Sequence, residues 1–194
     1  MQVPLLDLRL QYASIREDIL SAVTRVCDSQ QFILGSEVEQ LESEIAAAIG
    51  VPYAIAVSSG TDALLVALMA LGIGHGDEVI VPTFSFFATA GSVSRVGATP
   101  VFVDIDPETL MLDVGRVRAA MTSKTKAIIP VHLYGLCADM TPLTSAADGI
   151  HIIEDVAQAI GATYHGQPAG ALGTIGCFSF FQRRTSAALA TAGW

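Results

Sequence analysis

The amino-acid sequence predicts an α/β fold in which helices flank a mostly parallel β-sheet. Short apolar segments rich in β-branched residues alternate with segments of helical periodicity, which is the pattern of repeated βαβ units. Hydrophobic residues make up 52% of the 194 residues and charged residues only 15%, a composition typical of a sheet covered on both faces. Ligands of such sheets bind beyond the carboxyl ends of the strands, so the residues that follow each strand are the candidates for function.

The individual elements follow from periodicity and from the residues that end each segment. Helical spacing of apolar residues predicts helices over residues 12–27, 37–49, 60–71, 87–96 and 114–121. Apolar runs bounded by turn residues predict strands over residues 53–57, 78–81, 100–103, 126–132, 151–154, 161–164 and 176–180. Gly50 ends the second helix, and Pro82 closes the second strand.

Charge and hydropathy argue against several classes of protein. A net charge of −9 argues against nucleic acid as the main partner. No apolar run reaches the roughly 18 residues of a membrane span, so no membrane partner is expected. Residues 1–10 carry Asp7 and Arg9 and lack the basic start and apolar run of a signal peptide, so a cytoplasmic location is expected.

The cysteines and histidines show no spacing typical of a metal site, and none is predicted. Cys27, Cys137 and Cys177 each lie among apolar residues, which favours buried packing over a reactive thiol. His132 follows a predicted strand, and a lone histidine there is more often structural than catalytic.

The first candidate motif is Ser58–Leu64, which follows a predicted strand and opens a predicted helix. The free N–H groups of a helix N-terminus bind phosphate well, Gly60 allows close approach of the backbone, and Thr61 adds a hydroxyl. The alternative is an ordinary serine N-cap.

The second candidate motif, residues 82–89, brings three phenylalanines close to the end of a strand. Aromatic rings at the ligand edge of a sheet could provide a stacking surface. Packing in the core is the alternative that the motif alone favours.

The third candidate motif is Glu154–Ala159, after an apolar strand. Two adjacent acids are expensive to bury without partners, and a carboxylate facing a cationic ring nitrogen would explain one of them. Asp155 and Gln158 would share a face if a helix began here. Helix capping by Asp155 is the alternative, although it leaves Gln158 unexplained.

The fourth candidate motif is the run from Phe178 to Phe181, in which Ser179 is predicted to lie within a strand between aromatic residues. Its hydroxyl could belong to a satisfied core serine or could bind a ligand, and the local sequence does not decide between them.

Together these motifs resemble the DegT/DnrJ/EryC1/StrS family, the sugar aminotransferases of fold type I. The resemblance covers residues 3–181 and rests on an ordered set of segments: residues 4–8, 32–35, 59–64, 82–86, 130–135, 154–159 and 178–181. It implies the large domain of a fold-type-I enzyme that depends on pyridoxal 5'-phosphate, with residues 1–181 as an incomplete N-terminal and cofactor-binding domain. The family's small C-terminal domain is expected to be missing.

The resemblance also implies roles for individual residues. The cofactor phosphate would be held by Gly60, Thr61 and Ser179. Phe86 would stack on the pyridine ring, and Asp155 would pair with the ring nitrogen and keep it protonated. Gln158 would bond near the 3-hydroxyl of the ring.

The implied substrate is a keto-sugar linked to a nucleotide, with an amino acid, usually glutamate or glutamine, as the amino donor. Members of the family usually form homodimers with a shared active site, and a homodimer is therefore expected for an intact chain.

The chain departs from the family pattern at Arg184, where the resemblance requires the lysine that bonds covalently to the cofactor. A guanidinium stays protonated and is a poor nucleophile, so arginine cannot replace a neutral amine. No lysine follows Lys126. The chain as written is therefore predicted to be inactive.

The tail over residues 182–194 suggests a cause for this departure. If one base is restored before residue 182, the genetic code permits Pro-Ala-Lys-Asp and then a glycine-rich continuation like that of the family. We hypothesise that the reading frame slipped here. A natural divergent tail is the alternative.

Two other functions remain open. A relative without the lysine could bind the cofactor non-covalently, but the family members that dehydrate sugars have histidine at this position, and this chain does not. A non-catalytic regulatory homologue could instead pair with an intact subunit.

Overall fold

The computed structural model of the protein describes residues 7–180, which form two compact units, residues 7–56 and residues 57–180. Among these residues, no helix combines the length and the apolar character needed to cross a membrane.

The first unit contains two helices, α1 (Arg9–Ser29) and α2 (Ser36–Ile49), at the positions that the sequence predicts. Arg25 of α1 pairs with Glu37 of α2, with 3.1 Å between Nε and Oε1. Helix α2 ends at Gly50, whose φ of 77° lies in the left-handed region and whose N–H donates to the carbonyl of Ala46. Both helix predictions are confirmed.

The strand predicted over residues 53–57 is wrong. The segment is irregular, it has no ladder partner among the described residues, and it exposes Tyr53 and Ile55. A side chain provides one of its hydrogen bonds, because the N–H of Ala56 donates to Oε1 of Glu42 over 2.7 Å. An apolar run forms a strand only where a neighbouring strand binds its backbone groups, and local sequence does not reveal that neighbour.

The burial expected for the cysteines is correct for one residue and wrong for another. Cys177 is buried, Cys137 is half-buried, and Cys27 is exposed on α1. None of the α1 residues is buried within the described part of the chain. Helical periodicity identifies the residues that share a face but does not establish whether another element covers that face.

The second unit contains the strands β1 (Glu78–Pro82), β2 (Thr99–Val103), β3 (Thr125–Ile128), β4 (His151–Asp155), β5 (Thr163–Tyr164), β6 (Gln167–Pro168) and β7 (Ile175–Cys177). Five of them form a parallel sheet in the order β2-β1-β3-β4-β7. A separate antiparallel pair consists of β5 and β6. The helices are α3 (Gly60–Ala70), α4 (Phe87–Arg95), α5 (Val114–Ala120) and α6 (Met140–Ala147). The predicted α/β class with a parallel sheet is confirmed.

Both faces of the sheet are covered, as the composition predicts. Successive residues of a strand point to opposite faces, so Val79 and Val81 pack in one core cluster while Ile80 packs in another. Helices α3 and α4 contribute to the first cluster, and α5 and α6 to the second. Burial on both faces explains why the strands are continuous apolar runs.

Three strand predictions are longer than the strands that form. The ladder of β3 stops at Ile128, ahead of Pro130, which has no N–H to donate. The segment predicted over 161–164 provides only two residues to a hairpin outside the main sheet. The strand predicted over 176–180 ends at Cys177, so Ser179 lies beyond the strand rather than within it.

Helix α6 is absent from the sequence-based predictions. Pro142 lies in its first turn, where a missing N–H costs nothing because the first four N–H groups of a helix have no partner inside it. A proline within a short apolar segment therefore hid a helix that it does not disrupt.

Candidate functional site

The candidate residues lie at one edge of the sheet. Parallel strands end at the same edge, and β1, β4 and β7 end shortly before or at Phe86, Asp155 and Ser179. Strand β2 pairs with one lateral edge of β1, and the next strand along the chain, β3, pairs with the other lateral edge of β1. This order creates the crevice where α/β proteins commonly bind ligands.

The N-terminus of α3 lies against Ser179. A Cβ built on Gly60 would come within 2.7 Å of the Ser179 Cβ and 3.2 Å of the Phe178 carbonyl oxygen, so only glycine fits without a shift. The Ser179 Oγ would lie 3.1 Å from the same Cβ position. The fold therefore brings the helix N-terminus of the first sequence motif next to the serine hydroxyl of the fourth.

The serine N-cap that the sequence offered as an alternative is present. Ser59 Oγ accepts a hydrogen bond of 3.1 Å from the N–H of Asp62. The hydroxyls of Ser58 and Ser59 also donate to Asp62 Oδ2 over 2.6 and 3.0 Å. A cap and a ligand site are compatible, because the cap uses one of the four N–H groups at the helix start.

Asp62 is a residue of this region to which the sequence analysis assigned no role. Hydrogen bonds from Ser58 and then Ser59 lower the pKa of its carboxyl, with Arg95 at 3.9 Å contributing in the same direction against the effect of desolvation. An ionised carboxylate in the first turn of a helix interacts favourably with the helix dipole. The carboxylate thus orients both serine hydroxyls. In the sequence, the only indication of this role is that Asp62 follows Ser58 by four residues, close enough for the two side chains to meet.

Thr61 is half-buried at the start of α3. Its carbonyl accepts a hydrogen bond of 3.3 Å from the hydroxyl of Ser92 on α4. This contact links the first turn of α3 to the neighbouring helix.

Asp155 is buried at the end of β4, with 6% of its surface exposed. Thr89 donates to its Oδ2 over 2.9 Å, and the N–H of Ala157 donates to its Oδ1 over 3.2 Å. Thr89 is itself 1% exposed. The sequence gives no signal for this role of Thr89, because the contact joins helix α4 to strand β4 and has no local signature.

Gln158 lies in a turn rather than in a helix, so the condition under which Asp155 and Gln158 would share a helix face is not met. The N–H of Val156 donates to the carbonyl of Cys177 on β7, and that of Ala159 donates to Val156, which together close the turn. Gln158 is exposed, and its carbonyl accepts from the N–H of Gly135. Helix capping by Asp155 is excluded as well, since residues 156–160 form a turn and not the start of a helix.

Core packing, the alternative for the three phenylalanines after β1, is also wrong. Phe86 is 60% exposed, and Phe84 and Phe87 are exposed as well. Phe86 is the N-cap residue of α4, so its backbone is fixed by the helix that follows. The structure therefore presents an aromatic ring at the ligand edge of the sheet.

Glu154 and His132 form a separate buried pair behind this edge. His132 Nε2 lies 3.0 Å from Glu154 Oε2, and both side chains are fully buried. The carboxylate also accepts the N–H groups of Gly170, Leu172 and Gly173 at 2.8, 2.8 and 2.6 Å. These contacts explain how Glu154, one of the two adjacent acids, is buried at low cost. His132 is fully buried as the partner of Glu154, which agrees with a structural role.

Opposing effects act on the Glu154 carboxyl. Burial acts most strongly and raises its pKa, but hydrogen bonds from His132, Gly170 and Gly173 outweigh burial and lower the pKa. Glu154 is therefore ionised in the folded protein at neutral pH.

Arg184, Phe181 and the tail lie outside the described residues, as do residues 4–6 of the first family segment. Within the described residues, a helix N-terminus, a hydroxyl, an exposed aromatic ring and a buried carboxylate occupy one edge of a parallel sheet. A helix N-terminus at the carboxyl edge of a parallel sheet is a place where α/β proteins bind phosphate groups.

The model of the DegT/DnrJ/EryC1/StrS aminotransferase family matches residues 13–193. The chain belongs to this family. The family consists of pyridoxal-phosphate-dependent aminotransferases, and solved relatives hold the cofactor in its pyridoxal or pyridoxamine form.

Two similar proteins show how the chain relates to whole members of the family. A UDP-N-acetyl-3-dehydro-α-D-glucosamine 3-aminotransferase from Acidithiobacillus ferrooxidans is 50% identical, over 98% of this chain and 52% of its own length. A pleiotropic regulatory protein from Geobacillus stearothermophilus is also 50% identical, over 100% and 52%. The chain therefore spans about half the length of these curated relatives.

A solved structure supports the fold. The X-ray structure of S. venezuelae DesV, determined in complex with a ketimine intermediate, is 47% identical and superposes with a TM-score of 0.90. The match covers 93% of this chain and 49% of DesV.

The residues present fit the family's cofactor. The close packing of Gly60 against Ser179 holds the N-terminus of α3 and the Ser179 hydroxyl side by side, so that one phosphate could contact both. The buried carboxyl of Asp155 is the kind of group that would pair with a protonated ring nitrogen.

Proposed function

We propose that this chain is the cofactor-binding part of a pyridoxal-phosphate-dependent aminotransferase that acts on a nucleotide-linked keto-sugar. The observation that carries the proposal is the close approach of Gly60 to Ser179. It brings together two groups that can donate hydrogen bonds to a phosphate, the α3 N-terminus and the Ser179 hydroxyl, from distant parts of the chain. Both lie at the same edge of the sheet as Asp155.

In this proposal each residue has a defined task. The N–H groups at the start of α3, with Gly60 and Thr61, hold the phosphate together with the Ser179 hydroxyl. Phe86 covers one face of the ring, and Asp155 keeps a proton on the ring nitrogen. When bound, the cofactor supplies an electron sink for proton transfer at the substrate carbon. Gln158 approaches the ring's 3-hydroxyl, a role supported only by the family resemblance.

The substrate class follows from the relatives, because the A. ferrooxidans protein is named for a UDP-linked keto-sugar. We extend this class to the present chain, with glutamate or glutamine as the amino donor and a homodimer as the assembly of an intact chain. A cytoplasmic location and the domain boundaries at residues 181 and 182 stay predictions.

Arg184 implies that the chain as written does not catalyse the reaction, because arginine cannot provide the neutral amine. Sequencing the DNA through codons 178–194 tests the reading-frame explanation. One restored base that yields lysine at this position, followed by an open frame, would support it. Codons that cannot yield lysine would contradict it.

Binding of pyridoxamine 5'-phosphate to the 194-residue chain tests the cofactor site directly. This form has no aldehyde, so it does not bond to surface amines such as those of Lys124 and Lys126. Equilibrium dialysis should detect saturable binding. Gly60→Ala should weaken it about tenfold or more, because the added methyl must displace Ser179.

Matched variants control this experiment. Gly74→Ala introduces a methyl with only an ordinary 3.5 Å contact to a carbonyl oxygen and should leave binding unchanged. Ser179→Ala removes only the hydroxyl and should weaken binding about tenfold or more, because a hydrogen bond to a charged group is lost. The proposal fails if the unaltered chain shows no saturable binding.

A second candidate is a non-catalytic regulatory homologue that pairs with an intact subunit. Arg184 favours it, and the G. stearothermophilus relative is named as a regulatory protein. Stable co-purification with a full-length family member, together with a reading frame that proves sound, would favour this candidate.

A further inference from the structure

A chain of two hydroxyl groups leads to the buried carboxylate of Asp155. Thr89 Oγ1 lies 2.9 Å from Asp155 Oδ2, and Ser85 Oγ lies 2.8 Å from Thr89 Oγ1. Thr89 is 1% exposed, and Ser85 is half-buried. The three groups therefore connect the segment that follows β1 to the end of β4, both at the ligand edge of the sheet.

The direction of this chain follows from the number of protons available. Thr89 donates its single hydroxyl proton to Asp155 Oδ2. Thr89 Oγ1 can then only accept from Ser85, which must be the donor. Hydrogen bonds that point the same way polarise one another and strengthen the last one, the bond to the carboxylate.

The same contacts fix the first turn of α4. The hydroxyls of Ser85 and Thr89, on either side of the N-cap residue Phe86 in the sequence, are hydrogen-bonded to each other. The N–H of Thr89 also donates to the Phe86 carbonyl over 3.2 Å. The turn that carries the exposed ring of Phe86 is thus tied to the carboxylate of Asp155 through Thr89. A ligand ring that contacts both the Phe86 ring and the Asp155 carboxylate would therefore bind two groups that Thr89 already holds in fixed positions.

We propose that Thr89 is a positioning residue for the ring-nitrogen contact, and that it orients the Asp155 carboxylate with support from Ser85. This inference rests on the proposed function, because it needs a ligand with a protonated ring nitrogen. Thr89 acts through Asp155 and does not itself touch the ligand. Its loss should therefore weaken only those ligands that use the ring nitrogen.

Two ligands that differ in one ring atom separate this role from a general structural one. Binding of pyridoxamine 5'-phosphate is compared with binding of its 1-deaza analogue, which has a C–H in place of the ring nitrogen. Thr89→Val keeps the shape and removes the hydroxyl. It should weaken binding of pyridoxamine 5'-phosphate about fivefold and leave binding of the analogue within about twofold, because the lost bond is to a charged acceptor.

Three variants complete the test. Thr89→Ser restores the hydroxyl and should recover most of the affinity, while Ser85→Ala should reduce affinity about twofold, since it acts one bond further away. Thr125→Val is the control, because Thr125 is also buried and lies at the start of β3, away from the site. Its hydroxyl oxygen accepts a hydrogen bond of 2.9 Å from the N–H of Thr122. It should not alter the preference between the ligands.

The outcomes are distinct. Equal weakening of both ligands by Thr89→Val, or weakening of neither, overturns the positioning role while leaving the proposed function intact. If the unaltered chain binds neither ligand, the proposed function fails and this inference fails with it.

Discussion

His132 Nε2 donates a hydrogen bond to Glu154 Oε2 across 3.0 Å in the interior of the protein. The direction is fixed because His132 Nδ1 accepts the N–H of Ala138 over 3.0 Å and cannot carry a proton while it does so. The neutral imidazole therefore carries its proton on Nε2. Glu154 links this imidazole to the loop that contains Gly170 and Gly173.

Replacing Glu154 by glutamine should destabilise the fold. The new amide would present N–H donors where His132 and backbone N–H groups also donate, and at least one buried donor would lose its partner. We expect a loss of about 2–4 kcal/mol in the free energy of unfolding. Urea unfolding followed by circular dichroism measures it. The exposed Glu108→Gln is the control and should change stability by less than about 0.5 kcal/mol. A similar effect of the two variants would contradict the network.

Glu154 should also make stability depend on pH. The folded protein holds the pKa of this carboxyl below its ordinary value of 4.5, so the unfolded chain takes up a proton first as the pH falls. The contribution is fully present above the unfolded pKa and is lost as the pH falls through the lower, folded pKa. The stability difference between the unaltered chain and Glu154→Gln should therefore shrink below about pH 4.5. Melting temperatures measured over a pH series test this, and a difference that stays constant would refute it.

Phe86→Ala should reduce cofactor affinity with little effect on folding. The ring is 60% exposed, so its removal uncovers little core and should change the free energy of unfolding by less than about 1 kcal/mol. Loss of a stacking partner should weaken binding of pyridoxamine 5'-phosphate about three- to tenfold. Phe87→Ala, at a neighbouring and more exposed aromatic residue, should leave affinity unchanged. Equal effects of both variants would argue against stacking.

The three cysteines should react with a thiol reagent at very different rates. Cys27 is exposed and should react first. Burial, followed by the nearby carboxylates of Asp155 and Glu154, raises the pKa of Cys177 to about 12, so almost no thiolate forms at neutral pH. Cys137 is half-buried, with its pKa raised mainly by desolvation. Mass spectrometry after brief alkylation should find the label on Cys27, and early label on Cys177 would show that the core opens.

Local sequence determined the order of the elements and most of their positions. Helices α1 to α5 and strands β1, β2 and β4 lie where periodicity and terminating residues predict, because an apolar repeat and a capping glycine act within a few residues. The ordered motifs also identified the family correctly.

The tertiary structure alone decided which of these residues meet. The approach of Gly60 to Ser179, the bond from Thr89 to Asp155 and the pairing of His132 with Glu154 each join segments that are far apart in the chain. The irregular backbone of residues 53–57 and the turn after Asp155 were likewise decided by which neighbours satisfy the backbone N–H and C=O groups. Periodicity is a local property, whereas strand pairing and side-chain contacts depend on the packing of the whole chain.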